Sequence, residues 1–189
     1  MKTIIEKAKE EFWKMLKDFG SDEFHLESHV LEVERWANHM LKKYPQADKE
    51  VVLLSVWLHD IGHYPHSEAD HAIIGEQIAR KFLKKQNYPE DKMNKVLHCI
   101  RAHRCKDVFP ETFEAKMMAF IDSASHLTTQ VYLDMAKQDK ERKESFRAFA
   151  KLERDMRDLS SFPEDKKILK ELSEAWEKLL KVYEKLDIN

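Results

Sequence analysis

Apolar residues recur at intervals of three and four positions along most of the chain, which is the spacing of one face of an α-helix. The first apolar stripe runs from about residue 3 to residue 19 and is followed by Gly20, a residue type that commonly ends helices. The same pattern predicts further helices over about residues 22–44, 48–61, 67–86, 89–103, from 110 onwards, 144–159 and 163–186. We therefore predict an all-α fold of seven or eight helices, with a bend in the polar segment 138–145.

Two of the predicted helices depart from the usual one-sided pattern. Val51–Leu58 is apolar on nearly every side, which indicates a helix that is buried all round. The last helix has a broad apolar stripe that suits core packing or a partner subunit: Ile168, Leu169, Leu172, Ala175, Trp176, Leu179, Leu180 and Tyr183. We expect one domain over residues 1–189, with a compact multi-helix core at about 22–135 and additional C-terminal helices covering it from about 140 to 189.

Composition supports a helical, folded chain. The 189 residues include only three Gly and five Pro, whereas sheet-rich domains use glycine in hairpins and bulges. The chain is 42% hydrophobic and 36% charged, which suits amphipathic helices and argues against intrinsic disorder. We expect Gly62 to end the third helix and Gly75 to permit close helix packing, because glycine has no Cβ.

Charge and cysteine usage narrow the classes of partner. The 33 basic and 35 acidic residues are interleaved, so no basic face for nucleic acid is predicted. Glu6, Glu10 and Glu11 interrupt any signal peptide, and Val51–Leu58, the longest apolar run, is too short for a membrane span. Two cysteines form no disulfide framework. We expect a cytoplasmic protein without a membrane or nucleic-acid partner.

Histidines and aspartates interrupt the apolar stripes of five successive predicted helices. Burying an imidazole or a carboxylate without a partner costs several kcal/mol, so these positions need a physical reason. The interrupting residues are His29, His59, Asp60, His71, His103 and Asp122. A polar core network without metal would satisfy one or two of them, but six inward groups are typical of a cation site. Nitrogen and oxygen ligands suit Fe, Mn, Co, Ni or Zn, and the lack of thiolates argues against a structural zinc.

The sequence around these residues resembles a known family. The strings LHDIGH, HAIIGEQIARKFL, CIRAHR and PETFEAKMMAFIDSASHL, with His29, His59-Asp60 and Asp122 in that order, resemble the HD-domain superfamily of metal-dependent phosphohydrolases. The resemblance is to its small stand-alone bacterial and archaeal members, and it covers about residues 26–130.

The resemblance implies a ligand set and a reaction. It implies that His29, His59, Asp60 and Asp122 bind one divalent metal. His71 and His103 occupy the positions that bind a second metal in binuclear members, with Asp60 as the bridge. Such a site would hydrolyse a phosphate monoester or diester with a metal-activated water. We expect one or two ions of Fe, Mn, Co, Ni or Zn, with Mg also compatible, and a nucleotide or another small phosphorylated substrate.

Four further residues are candidates for contact with substrate. His63 occupies a position where many relatives carry a substrate-contacting residue, so we assign it a catalytic role beside Asp60. Arg104 follows His103 directly and presents a guanidinium that fits phosphate oxygens. His66 and His126 are candidate substrate contacts, the former in the loop after Pro65.

Two other functions remain open at this stage. Some HD folds use a di-iron centre to activate oxygen, which makes an oxygenase the first alternative. The second is a non-catalytic regulatory protein that binds metal or nucleotide. The sequence does not decide between a monomer and a homodimer.

Overall fold

The computed structural model describes residues 2–64, 70–142 and 145–186, and over these ranges the fold is all helical. The α-helices found there are α1 (Ile4–Phe19), α2 (Leu26–Lys43), α3 (Lys49–Leu58), α4 (His71–Lys85), α5 (Glu90–Ala102), α6 (Phe113–Leu127), α7 (Val131–Arg142), α8 (Ala148–Asp158) and α9 (Pro163–Lys185). Short 3₁₀ helices occupy Ile61–His63 and Leu159–Ser161. The all-α prediction is confirmed. None of the described helices combines the length and apolarity that a membrane span requires.

Local signals at the helix ends explain the N-terminal part of the fold. Thr3 and Glu6 form a capping box at the start of α1, in which each side chain accepts a hydrogen bond from the other's backbone N–H. The helix ends at Gly20, whose φ of 80° is in the left-handed region that glycine adopts without strain. The predicted first helix is therefore confirmed at both ends.

Helix α3 is the buried centre of this part of the chain. All its residues from Val51 to Leu58 are buried, as the all-apolar pattern predicts. Asp48 caps the helix by accepting hydrogen bonds from the backbone of Glu50 at 3.1 Å and Val51 at 3.3 Å. Helices α1, α2 and α5 pack against α3, which places its C-terminal end inside the protein.

The chain divides into two compact units whose boundary lies between Ile121 and Asp122. The first unit contains α1 to α5 and the first part of α6. The second contains the end of α6 and a group of helices, α7, α8 and α9, that pack on one another. The expectation of a single domain over residues 1–189 stays a prediction.

Three predicted boundaries differ from the structure. Helix α3 ends at Leu58, so Gly62 lies in the following 3₁₀ helix and does not end α3. The predicted bend at 138–145 is helical up to Arg142, and the next helix begins only at Ala148. A further break, which the pattern does not predict, follows Leu127. There the hydroxyls of Thr128 and Thr129 donate to the Ser125 carbonyl at 3.2 and 3.0 Å, which competes with the helical pattern.

Helix α2 begins at Leu26 rather than near residue 22. The carboxylate of Asp22 accepts hydrogen bonds from the backbone of Leu26 at 2.7 Å and Glu27 at 3.0 Å. Asp22 therefore satisfies two backbone N–H groups of the first turn from outside the helix. His25, the residue directly before the helix, has a positive φ of 54°.

Candidate metal centre

Asp60 lies within 4 Å of five histidine side chains in the first unit. Its Oδ2 atom is 3.3 Å from Nε2 of His59 and 3.4 Å from Nε2 of His29. Its Oδ1 atom lies 3.3 Å from Nε2 of His71, 3.6 Å from that of His63 and 3.7 Å from that of His103. The structure therefore brings together five of the six histidines and aspartates that interrupt the predicted stripes, and it adds His63.

The backbone at Gly62 lets these elements approach one another. Asp60 follows the buried helix α3, and the 3₁₀ helix Ile61–His63 packs against α4. A Cβ atom at Gly62 would lie 2.1 Å from the carbonyl oxygen of His71 and 2.4 Å from the backbone nitrogen of Gly75. No other residue fits there without moving the backbone that carries His71. The close approach expected at Gly75 is also confirmed, since its Cβ would meet the His59 carbonyl at 3.0 Å.

Backbone carbonyls fix which ring nitrogen carries hydrogen in two of the histidines. Nδ1 of His59 lies 2.8 Å from the carbonyl oxygen of Val56, and Nδ1 of His103 lies 2.7 Å from that of Ile100. Because a carbonyl only accepts, each Nδ1 must carry the hydrogen and donate it. In the neutral ring the lone pair is then on Nε2, the atom near Asp60. This is the arrangement by which metal-binding histidines are usually oriented.

The electrostatics of the cluster favour a bound cation. Burial lowers the pKa of His71 to about 3, so this imidazole is neutral at physiological pH. Burial opposes ionisation of Asp60, but its interactions with His59 and His63 outweigh that effect and hold its pKa well below the usual range. An ionised carboxylate thus faces several imidazole nitrogens in a buried site. A positive charge must lie among them, carried either by a proton on an imidazole or by a metal ion.

The ligand atoms form two groups that share Asp60. His29, His59 and Asp60 form one group, and Asp60, His71 and His103 form the other, with the ligand atoms of each group within 4.8 Å of one another. Nε2 of His29 lies 3.1 Å from Nε2 of His59, and Nε2 of His71 lies 3.3 Å from that of His103. The closest contacts of each group to Asp60 use a different carboxylate oxygen. Neutral imidazoles and a shared carboxylate are a donor set that fits divalent transition metals.

His63 lies against the second of these groups. Its ring stacks on that of His71, with the centroids 3.9 Å apart and the planes 19° from parallel. On its other side it contacts the ring of Phe24, at 4.7 Å between centroids. His63 is therefore a half-buried neighbour of the cluster rather than a solvent-facing loop residue. Its catalytic role stays a prediction.

Arg104 forms an ion pair with Asp70, a residue that sequence analysis missed. Asp70 also caps α4, because its Oδ1 accepts a hydrogen bond from the backbone of Ala72 at 3.0 Å. Burial opposes ionisation of Asp70, but the contact with Arg104 and the cap bond hold its pKa below the usual range. The ion pair thus joins the residue before His71 to the residue after His103. The sequence does carry a signal for this pair, because an aspartate directly precedes His71 and an arginine directly follows His103, each at the end of a helix.

Two other predicted residues, Asp122 and His126, belong to the second unit. Asp122 is buried on α6. Nδ1 of His126 lies 3.2 Å from Oδ2 of Asp155 and 3.0 Å from Nζ of Lys151. Asp155 also accepts a hydrogen bond from the Tyr132 hydroxyl at 2.8 Å. The roles of Asp122 and His126 stay predictions, as does that of His66, which lies outside the described residues.

Comparison with known proteins identifies the family. A family model described as the HD domain matches residues 26–178, which is most of the chain and extends well beyond the segment in which the resemblance was noted. No match was found among curated proteins or among solved structures. HD domains bind divalent metals, and the residues around Asp60 include groups that can hold one. The chain therefore belongs to the HD-domain family, within the superfamily of metal-dependent phosphohydrolases.

Proposed function

We propose that this protein hydrolyses a nucleotide or another small phosphate ester with a water activated by bound metal. The observation that carries the proposal is the shared position of Asp60 between two histidine groups, each with ligand atoms close enough to hold one ion. A divalent metal in such a site lowers the pKa of bound water and neutralises charge that develops on phosphoryl oxygens. Hydrolysis of either a monoester or a diester fits this chemistry.

The proposed ligand set follows the two groups. His29, His59 and Asp60 would hold one ion, and His71 and His103 with Asp60 a second. The family resemblance adds Asp122 as a ligand of the first ion, which is part of the proposal. The backbone bonds from Nδ1 of His59 and of His103 keep their Nε2 atoms ready to bind metal without a change of tautomer.

Other residues of the cluster would handle substrate and protons. His63 is half-buried beside Asp60 and His71, and we propose that its Nε2 atom gives a proton to the leaving oxygen. Arg104 has N–H groups besides the one that binds Asp70, and we propose that they contact phosphate oxygens. His126 and His66 complete the proposed substrate contacts. The proposed setting is the cytoplasm, with no nucleic acid as partner.

Phosphate release from a panel of substrates tests this function. Metal-free protein would be loaded separately with Mn, Co, Ni, Fe, Zn or Mg and incubated with nucleotides and simple phosphate esters. We expect release of phosphate or of a nucleotide product with at least one metal, and none from the Asp60→Ala variant. Asp107→Asn is the matched control, because it removes an exposed carboxylate that pairs with Arg101. Absence of hydrolysis with every metal would overturn the proposal.

The same two-group arrangement also suits a di-iron oxygenase, the second candidate. The paired histidine groups around one carboxylate are the feature that favours it. An oxygenase would consume O₂ with iron bound and would release no phosphate. Measuring O₂ consumption and phosphate release on the iron-loaded protein separates the two candidates. A regulatory protein without catalysis would bind metal and nucleotide but would neither release phosphate nor consume O₂.

A further inference from the structure

Helix α9 carries two apolar stripes, not the single broad stripe that the sequence predicts. We define the inner stripe as Leu169, Trp176, Leu180 and Tyr183, whose members are buried or half-buried. We define the outer stripe as Ile168, Leu172, Ala175, Leu179, Val182 and Leu186, all of them exposed. Within the outer stripe Ile168 is 74% exposed and Val182 is 62% exposed. The outer stripe is therefore a continuous apolar surface.

The inner stripe accounts for the packing of α9 within the second unit. The indole nitrogen of Trp176 donates to the carbonyl of Leu127 at 2.9 Å, and its ring meets that of Tyr132 edge to face at 5.4 Å between centroids. Leu169 and Leu180 are fully covered, and α9 packs on α7 and α8. The outer stripe stays exposed in this packing, so its apolar character needs another explanation.

The spacing of the outer stripe is that of a coiled coil. Its residues are separated alternately by four and three positions, which is a repeat of 3.5 residues. On a straight helix this repeat drifts by about 20° per heptad, so two such helices cross with a left-handed twist. From Ile168 to Val182 the outer stripe extends about 21 Å along the helix, and Leu186 follows at the C-cap directly after the last helical residue. A stripe of this period and length fits another helix rather than a small ligand.

The charges along one edge of the outer stripe indicate which helix. Glu164, Glu171, Lys178 and Lys185 recur every seven positions, and all are exposed. The edge is acidic in the first half of α9 and basic in the second. Two copies in antiparallel orientation place this edge against itself, with the acidic half of each copy against the basic half of the other. In a parallel pair the same edge would face the opposite edge of the partner's stripe, where Leu169, Trp176 and Tyr183 offer no charge. The helix dipole does not explain Glu171 and Lys178, because they lie about two turns from the ends.

We propose that this protein forms a homodimer in which the outer stripe of α9 packs antiparallel on the outer stripe of a second copy. The interface buries apolar residues that the isolated chain leaves in water, and charge pairs along the edge set its orientation. The proposal does not depend on the metal centre or on the reaction, so either can fail without the other.

The mass of the protein in solution tests the interface. Light scattering after gel filtration should give twice the 22.5 kDa chain mass for the wild type, and the chain mass for Val182→Glu and for Ile168→Glu. Leu31→Glu, at an exposed apolar position of α2, is the matched control and should remain dimeric. Circular dichroism checks that each variant is folded. A monomeric wild type, or glutamate variants that stay dimeric, would overturn the proposal.

A charge exchange tests the orientation. Glu171→Lys should weaken the dimer by about tenfold, since it opposes Lys178 of the partner with a like charge. The double variant Glu171→Lys, Lys178→Glu should restore the wild-type dissociation constant, measured by sedimentation equilibrium. If the single change has no effect, or if the double variant fails to recover, the antiparallel arrangement is wrong.

Discussion

Two buried carboxylates, Asp60 in the first unit and Asp155 in the second, have similar burial and different surroundings. Asp155 accepts hydrogen bonds from the Tyr132 hydroxyl and from the ammonium group of Lys151 at 2.8 and 3.2 Å, both of which carry their own hydrogens. Asp60 faces Nε2 atoms of His59 and His103, whose rings donate through Nδ1 to backbone carbonyls instead.

The difference lies in which partners bring hydrogen to the carboxylate. The donors around Asp155 compensate its charge without a metal. Around Asp60 the compensating positive charge must be a proton on an imidazole or a metal ion. Burial and the presence of histidine are common to both sites and do not separate them. The two sites differ in where the hydrogens lie. For His59 and His103 these positions follow from the backbone carbonyl oxygens that Nδ1 contacts.

The largest expected effect is on metal affinity. Asp60→Asn removes one carboxylate oxygen from the site that both histidine groups share, so Mn²⁺ affinity should fall by more than about 100-fold. Asp155→Asn should leave that affinity close to wild type. Isothermal titration of metal-free protein measures both. The comparison fails if Asp155→Asn loses the metal and Asp60→Asn keeps it.

The same two variants should differ in stability in the opposite order, with the larger loss in Asp155→Asn. Asp155→Asn leaves the half-buried Lys151 ammonium without its carboxylate and should lower the free energy of unfolding by about 2 kcal/mol. Asp60→Asn should lower the free energy of unfolding of the metal-free protein by less, because the imidazoles that favour the ionised carboxylate can lose a proton and leave no stranded charge. Urea unfolding in the presence of a chelator gives both values. A metal-free Asp60→Asn that is less stable than Asp155→Asn would contradict the account.

Metal removal should affect only the Asp60 centre. At a free metal concentration about 100 times the dissociation constant, binding stabilises the folded state by about 2.7 kcal/mol. Adding a chelator should therefore lower the melting temperature of the wild type and of Asp155→Asn. The melting temperature of Asp60→Asn should not respond to the chelator. A response equal to that of the wild type would place the metal elsewhere.

A smaller effect is expected from the ion pair between Asp70 and Arg104, which joins the ends of the segments that carry His71 and His103. Asp70→Asn keeps the cap of α4 but loses the charge, and we expect binding of the second ion to weaken by about tenfold. Binding of the first ion should not change. Asp107→Asn, which breaks the nearby pair with Arg101, is the control in the same metal titration. Equal loss of both ions would indicate a general loss of structure instead.

The smallest effect is expected at Tyr132. Tyr132→Phe removes one of the donors to Asp155 but leaves Lys151 and His126 beside it, so stability should fall by about 1 kcal/mol. Metal affinity should not change. Thermal unfolding monitored by circular dichroism measures the change. No loss of stability would mean that the hydroxyl contributes nothing to compensating Asp155.

The sequence predicts the Asp60 centre better than the Asp155 network, for a physical reason. Histidines within apolar stripes stand out because apolar neighbours indicate burial, and five of the residues found together were identified in that way. Asp155 and Lys151 lie four apart on a helix with many charges, where such a pair resembles an ordinary solvated ion pair. Only tertiary packing shows that Asp155 is 3% exposed.

The sequence predicts a helix and its buried face well where the helix has one apolar stripe, and poorly where a second structural feature overlaps that stripe. The outer stripe of α9 and its inner stripe lie side by side, so periodicity alone merges them into one broad face. The break after Leu127 was missed because it depends on hydroxyl groups that bond to backbone carbonyls, which leaves no interruption in the apolar pattern. Asp70 was missed because its partner, Arg104, is distant in sequence.

The central claim is that Asp60 serves two metal-binding groups, and counting bound metal tests it most directly. Equilibrium dialysis against Mn²⁺, followed by elemental analysis, should give two ions per chain for the wild type. The double variant His71→Ala, His103→Ala should retain one, and Asp60→Ala should retain none. If the double histidine variant binds as many ions as the wild type, the second group holds no metal and the account of Asp60 as a shared ligand is wrong.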